Sequence, residues 1–321
     1  MRFMETAELA SRIRAGERAA VALACRRIDE RRPGYRELLA SLSPSTGRAR
    51  ILGITGSPGA GKSTLATALV GKLRARGERV GVVAVDPTSP FSGGALLGDR
   101  IRMQQHGGDP EVFVRSLASR GALGGLSETT ADVVRVLDAW GANSVVVETM
   151  GVGQGEIDVL GVAHTVIVVV APGMGDDIQA NKAGILEIAD VLVVNKADRP
   201  GADAAEQALR AALDLAPRRD PQEPAKNIVR TVATTGEGVD ALLAAIDAHG
   251  AWLQSTQAGA SARVERARRA ARTRLGAALL ELCVSELGST WSETVERVVT
   301  RELDATEAAA VLREALRARG R

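Results

Sequence analysis

The chain has 321 residues, of which 45% are apolar, and 41 basic against 39 acidic residues leave a net charge of +2. That length fits one large domain or two smaller ones, and the charge balance excludes a strongly basic nucleic-acid coat and an acidic tail protein. Cys25 and Cys283 lie far apart and His106, His164 and His249 are scattered, which excludes a disulfide framework and leaves no visible His/Cys metal cage.

Scarcity elsewhere shapes the core. Three Trp, three Phe and one Tyr are the whole aromatic complement, so Ala, Val and Leu fill the interior. Five of the 41 cations are lysines, and the arginine excess accompanies an alanine excess, a genome composition bias rather than a nucleic-acid signature. The opening MRFMETAELASRIRAGER has no apolar segment of the signal-peptide type. The longest apolar run, near 164–172, falls far short of the ~20 residues of a membrane span. The expected compartment is a reducing cytoplasm, with neither membrane nor nucleic acid as partner.

Segment 4–46 reads as helical: Leu9, Ile13, Val21, Ala24 and Ile28 recur at helical spacing, and Pro33-Gly34 punctuates before a second short helix around 35–42. Ser43-Pro44-Ser45-Thr46-Gly47 reads as a linker. From there short β-branched runs alternate with helical stretches. The runs are RILGIT (50–55), RVGVVAVD (79–86), EVFVRSL (111–117), NSVVVET (143–149), HTVIVVVA (164–171), DVLVVNK (190–196) and NIVRTVA (227–233). Most are almost continuously apolar, as strands buried on both faces of a parallel sheet are. Strands alternating with helices imply an α/β class, a doubly wound, mostly parallel sheet, over 47–250. Residues 1–46 then form an N-terminal helical arm. The rest, 251–321, has no strand run and reads as two or three helices with apolar faces at Leu275, Ala278, Leu279 and Leu282 and at Leu303, Val311, Leu312 and Leu316. Six arginines within 263–274 read as a solvated helix face or an oligomer contact, since no aromatic is interleaved to stack on bases.

One motif dominates the first strand–helix junction. Gly56-Ser57-Pro58-Gly59-Ala60-Gly61-Lys62-Ser63, followed by Thr64, is a full G-x-x-x-x-G-K-[ST] after a strand and before the helical stretch 63–76. Its glycines let backbone N–H groups wrap phosphates, and the helix N-terminus adds partial positive charge. Lys62 is expected to bridge β- and γ-phosphates, and the Ser63 hydroxyl to bind Mg²⁺. Asp86, Asp99 and Glu148 are the candidate acids around that metal, and Asp86 and Glu148 sit at strand carboxyl ends, where open α/β sheets bind ligands.

A second signature names the base. Asn195-Lys196-Ala197-Asp198 is N-K-x-D directly after a strand. Guanine offers N1–H and its 2-amino group as adjacent donors, which the Asp198 carboxylate accepts as a bidentate pair, whereas adenine leaves Asp198 unpaired. The Lys196 stem covers the base, and Asn195 ties this loop to the P-loop. Ala233-Thr234-Thr235-Gly236-Glu237-Gly238 fits a second base loop, where a backbone N–H meets guanine O6. GTP or GDP with Mg²⁺ is the expected ligand. Glycine-interleaved stretches follow two strands, Gly151, Gly153 and Gly155 around Val152 and Gln154, and Gly173 and Gly175 around Met174; such segments reorganise when a γ-phosphate appears. Gln154 is a candidate to orient the attacking water, and Arg100, Arg102, Arg115 and Arg120 are unranked candidates for a cationic finger. With no evident finger in cis, slow intrinsic turnover is expected.

Together these residues resemble the MeaB/ArgK family of P-loop GTPases, the G-protein chaperones associated with methylmalonyl-CoA mutase. The likeness covers nearly the whole chain and rests on GITGSPGAGKST (53–64), VDPTSPFSGGALLGDRIRM (85–103), SLASRGALGGLS (116–127), VVVETMGVGQGE (145–156), PGMGDDIQANKAGI (172–185) and VNKAD (194–198). Departures are Met150, where the family usually has Val, and Asn181, in a segment that often reads GIKKG. The resemblance implies a homodimer through the C-terminal helices and GTP·Mg²⁺ hydrolysis that is slow alone and faster with a partner. It also implies gating of adenosylcobalamin delivery to a cobalamin-dependent acyl-CoA mutase, and protection of that cofactor. It matches Asp86, Asp99 and Glu148 to metal-site acids, residues 87–99 to a first switch, 151–156 to a second and Gly173–Lys182 to a third that faces the partner, where Asp176 and Lys182 couple nucleotide state to the mutase. Three competing classes are a nickel-type metal-insertion GTPase, which the scarcity of His and Cys disfavours; a small-molecule kinase, which N-K-x-D disfavours; and a protein-targeting GTPase, for which five methionines are too few to line a groove.

Overall fold

The computed structural model describes residues 5–86, 106, 108–118, 128–149, 162–173, 189–215 and 226–319. They divide into two compact units, Met1–Val264 and Glu265–Arg321.

The seven apolar runs become seven strands: β1 (Arg50–Gly56), β2 (Val80–Asp86), β3 (Val112–Ala118), β4 (Ser144–Thr149), β5 (Thr165–Val170), β6 (Val191–Asn195) and β7 (Asn227–Thr231). They form one sheet in the order β3-β2-β4-β1-β5-β6-β7, parallel at every pairing. Strands β4, β5 and β6 are buried along their whole length, which is why each carries a continuous apolar stretch, 145–147, 166–170 and 191–194. Helices cover both faces. In chain order the first unit carries α1 (Thr6–Arg14), α2 (Arg18–Asp29), α3 (Tyr35–Leu42), α4 (Lys62–Ala75), α5 (Glu128–Ala139), α6 (Ala202–Leu215) and α7 (Val239–Ser255).

Strand alternation sorts the core into layers. Val146, Ile167 and Val169 face α4 and α7, where Leu65, Leu69, Leu73, Leu242 and Ile246 meet them. Val145 and Val147 point to the opposite face, against α5 and the α1–α3 arm, with Leu9, Ile13, Val21, Ile28, Leu38 and Leu42 in the same cluster. Val166, Val168 and Val170 pack on α6 through Leu209. The helical run ahead of Pro33 is two helices rather than one. The chain breaks at Ala15-Gly16, where Gly16 takes φ +85°, and its carbonyl accepts the indole N–H of the buried Trp140 at 3.0 Å. The Arg79 guanidinium lies 4.8 Å from the Trp140 ring centroid and also pairs with Glu111 at 2.6 Å.

Helix α8 (Gln257–Leu287) is followed by α9 (Ser289–Val299) and α10 (Ala305–Arg319). In the second unit Leu287, Thr294 and Ala308 are buried, while Leu275, Leu279, Leu282, Val295 and Val299 are exposed. Among the described residues no helix is long and apolar enough to cross a membrane.

Candidate nucleotide site

The sheet order places the site. Strand β1 has β4 on one side and β5 on the other, so the chain switches direction around β1, and a ligand crevice opens beyond the carboxyl end of the strand at such a point. The P-loop leaves from there and ends in α4. Two glycines are required by packing. A Cβ on Gly56, at φ +131°, would lie 2.0 Å from the Val169 carbonyl oxygen; one on Gly61, at φ +91°, would lie 2.4 Å from Asn195 Nδ2. Gly61 caps α4 in the left-handed region, and the helix begins at Lys62, so its N-terminal N–H groups face the loop.

Lys62 is buried, and its ammonium donates to the Gly56 carbonyl at 2.7 Å and to the Ser57 carbonyl at 3.0 Å. Ser63 donates its hydroxyl to the Glu148 carboxylate, and Thr67 donates to the Ser63 carbonyl at 2.9 Å. Glu148 is buried near the end of β4, in register with Ile54 of β1. A hydroxyl and a carboxylate in contact at a helix N-terminus are hard oxygen donors, the set that suits Mg²⁺ when substrate phosphates and water complete the shell. Among the described residues there is no group of three or more His, Cys, Asp or Glu that could hold a metal.

Across the P-loop, Asn195 ends β6 and is 2% exposed. Its amide donates to the Ala60 carbonyl at 2.9 Å, and its amide oxygen accepts from the Thr231 hydroxyl at 3.0 Å and the Ala233 N–H at 3.1 Å. Lys196, in the left-handed region at φ +57°, reaches back to donate to the Gly59 carbonyl at 2.7 Å. Asp198 is exposed and has no hydrogen-bond or ion-pair partner among the described residues, so its two oxygens face solvent beside Lys196. The turn holding buried Ala233 and exposed Thr234 is closed by Val232 N–H donating to the Glu237 carbonyl at 3.0 Å.

The structure therefore brings Gly56–Ser63, Glu148, Asn195, Lys196 and Ala233 to one edge of the sheet. Asp86 closes β2 in the backbone at that edge, and its side chain lies outside the described set. Asp99, Gln154, Gly151, Gly153, Asp176 and Lys182 lie outside the described residues, as do Arg100, Arg102 and Arg120. Arg115 is described, and it pairs with Asp29 of α2 at 3.1 Å. Thr231 escapes sequence reasoning although it sits opposite Asn195 in the β6–β7 register. Its only sequence signal is a hydroxyl at the carboxyl end of a strand next to the base loop.

Comparison with known proteins assigns the family. The sequence profile described as methylmalonyl Co-A mutase-associated GTPase MeaB matches residues 18–286. A Pyrococcus horikoshii protein named "Putative GTPase PH0274" is 45% identical over 308 residues, 96% of this chain and 97% of the relative. The GTPase ArgK of Escherichia coli is 41% identical over 196 residues, 60% of this chain and 59% of its own. A solved structure described as a LAO/AO transport system kinase superposes with a TM-score of 0.74 at 26% identity, covering 99% of both chains. A P-loop on the central strand, a carboxylate against its serine and an N-K-x-D loop bound to its backbone are the site this family's name calls for, and the chain belongs to the MeaB family of GTPases.

Proposed function

We propose that this protein binds GTP and GDP, hydrolyses GTP, and uses the nucleotide state to gate adenosylcobalamin loading and protection of a cobalamin-dependent acyl-CoA mutase of the methylmalonyl-CoA type. The observation that carries the nucleotide reading is Asn195, which holds the P-loop carbonyl of Ala60 and the Ala233 N–H on one side chain while Asp198 stays open beside it. The partner reading is supported by the family description and by a mouse relative named methylmalonic aciduria type A homolog, mitochondrial, 37% identical over 194 residues.

In this reading Gly56, Ser57, Pro58, Gly59, Ala60, Gly61, Lys62, Ser63 and Thr64 wrap the phosphates. Lys62 releases the Gly56 and Ser57 carbonyls and turns its ammonium to the β- and γ-phosphates. Asp198 accepts N1–H and the 2-amino group of guanine, and the loop at Ala233 and Thr234 meets O6. Ser63 and Glu148, with Asp86 and Asp99, would hold Mg²⁺, which would supply positive charge to neutralise the phosphates. Gln154 orients the attacking water, and with no evident arginine finger in cis turnover is slow until the partner completes the site. Gly151 and Gly153 open the second switch, and Asp176 and Lys182 carry the nucleotide state to the mutase. Exposed Leu275, Leu279 and Leu282, spaced along one side of α8, support a homodimer through the C-terminal helices.

A kinase reading has one specific support, the description of the superposed structure as a transport system kinase. Base selectivity separates the two. Equilibrium binding of GTP, GDP, ATP and XTP to wild type and Asp198→Asn, with GTPase rates measured with and without a methylmalonyl-CoA mutase, is the test. The proposal expects guanine nucleotides to win over ATP by roughly 10³-fold or more, because adenine leaves the Asp198 carboxylate unpaired. It expects Asp198→Asn to shift preference to XTP, whose C2 carbonyl accepts from the new amide, and the mutase to raise the wild-type rate. Equal ATP and GTP affinity overturns the nucleotide reading, and an unchanged rate with no complex overturns the partner reading.

A further inference from the structure

Thr55 and Thr149 are both buried, 0% and 5% exposed, and their hydroxyl oxygens are 3.0 Å apart. Thr55 directly precedes Gly56, the first residue of the P-loop, and Thr149 directly follows Glu148. The backbone ladder between β1 and β4 has its last pair at Ile54↔Glu148. On the far side of each strand the ladders run further, β1 with β5 to Gly56↔Val169 and β2 with β4 to Val85↔Thr149. The recorded register of β1 with β4 thus ends at Glu148, one residue before Thr55 and Thr149, just short of where β1 enters the P-loop. Side chains join the two strands at that next step. The Thr149 hydroxyl donates to Thr55 and also lies 3.4 Å from the Ile54 carbonyl.

Alternation puts the threonines and Glu148 on opposite faces of the sheet. Glu148 reaches Ser63 on the α4 side, while Thr149 follows Val145 and Val147 onto the α5 side. Among the described residues, the threonine hydroxyls bond to each other and to the Ile54 carbonyl, not to Ser63 or Glu148. We propose that Thr149 and Thr55 are positioning residues: their hydroxyl pair fixes the separation of the β1 and β4 tips, and with it the approach of Glu148 to Ser63 on which metal binding depends. This rests on the reading of Ser63 and Glu148 as Mg²⁺ ligands. The P-loop itself is anchored independently, by the β5 ladder at Gly56 and by Asn195 at Ala60. Loss of the hydroxyl pair therefore weakens the metal step and spares metal-free nucleotide binding.

The test measures the Mg²⁺ concentration for half-maximal GTP hydrolysis, GDP affinity in EDTA and the melting temperature, for wild type, Thr149→Val, Thr149→Ser, Thr55→Val and Glu148→Gln. A lost buried hydrogen bond changes an equilibrium by about 3- to 10-fold. Thr149→Val, which keeps the shape, is expected to raise the Mg²⁺ requirement by that factor with GDP affinity in EDTA within about twofold of wild type. Thr149→Ser restores the hydroxyl and the wild-type requirement, and Thr55→Val reproduces the valine effect from the other strand. A Mg²⁺ requirement unchanged in both valine variants while Glu148→Gln raises it overturns the positioning role and leaves the metal reading standing. A lowered melting temperature with an unchanged Mg²⁺ requirement likewise reduces the pair to a structural role. An unchanged requirement in Glu148→Gln overturns the metal reading itself.

Discussion

The side-chain amide of Asn195 donates to the carbonyl of Ala60 at 2.9 Å, across 135 residues of chain. With its oxygen taken by Thr231 and the Ala233 N–H, this buried residue uses its polar atoms to join the P-loop, the base loop and the turn after β7. Asn195→Ala removes all three bonds. At roughly 1 kcal/mol each, with little space for solvent to replace them, the expected loss is about 2–3 kcal/mol, a fall in Tm of roughly 5–10 °C. GDP affinity falls by about tenfold or more, since both loops lose their common anchor. Calorimetry and a fluorescent-GDP titration check both effects, and an unchanged affinity would show that the loops are held by other contacts.

Three glycines separate conformational strain from collision. Gly47 has φ +94° and open space where a methyl would go, a methyl on Gly61 would press on the Asn195 side-chain amide, and one on Gly56 would meet the Val169 backbone carbonyl at 2.0 Å. Gly47→Ala is expected to cost only the left-handed strain, about 1–2 kcal/mol. Gly61→Ala adds displacement of Asn195 and weakens GDP binding. Gly56→Ala costs most, because β1 and β5 must separate. Urea denaturation ranks the three; equal losses would contradict the packing argument.

Much of this was legible in sequence for a physical reason. The inner strands of a parallel sheet are buried on both faces, so residues 191–194 and 166–170 announce themselves as unbroken apolar runs. The proposed phosphate and guanine contacts are local in the chain, so Gly56–Ser63 and Asn195–Asp198 are recognisable as motifs without a fold. What the sequence hides is pairing at a distance. The contacts of Thr55 with Thr149 and of Asn195 with Thr231 depend on strand order, and a threonine at a strand end has no signature of its own. The same holds for Asp138, which accepts from the N–H groups of Arg48 at 3.2 Å and Ala49 at 3.0 Å and so fixes the stretch leading into β1. The break at Gly16 was equally hidden, since Leu9 and Val21 keep to apolar helical faces on either side of it.

The two cysteines differ in reactivity. Cys25 is fully buried in α2, and burial pushes its thiol up to about 12, with the nearby Arg115 offsetting only part of that rise. A thiolate is the reacting species, so the folded protein keeps Cys25 inert at neutral pH. In Cys283→Ser, where Cys25 is the remaining thiol, maleimide labelling at about pH 7.5 is expected to be negligible over hours and complete in guanidinium. Rapid labelling of the native variant would mean that α2 opens readily from the helices packed around it.

Acid sensitivity follows from Asp109. Its carboxylate accepts from Arg74 at 2.8 Å and from the Glu111 N–H at 2.9 Å, and these bonds, led by the arginine, hold it below the ordinary carboxylate range. Glu111 is lowered in the same way by Arg79. A carboxyl group with a depressed folded-state pKa contributes stability that is present above its unfolded pKa and is lost as pH falls through the folded value. Because Asp109 is partly exposed, solvent screens the pair and the contribution is about 1 kcal/mol or less. Asp109→Asn removes the charge and keeps an acceptor. Its Tm is therefore expected to lie a few degrees below wild type at about pH 6, and the gap to close as pH drops below about 4 and wild type loses the same charge. Thermal melts of the two proteins across that range decide it: a gap that stays constant with pH would mean that Asp109 acts through hydrogen-bond geometry alone, with no part for its charge.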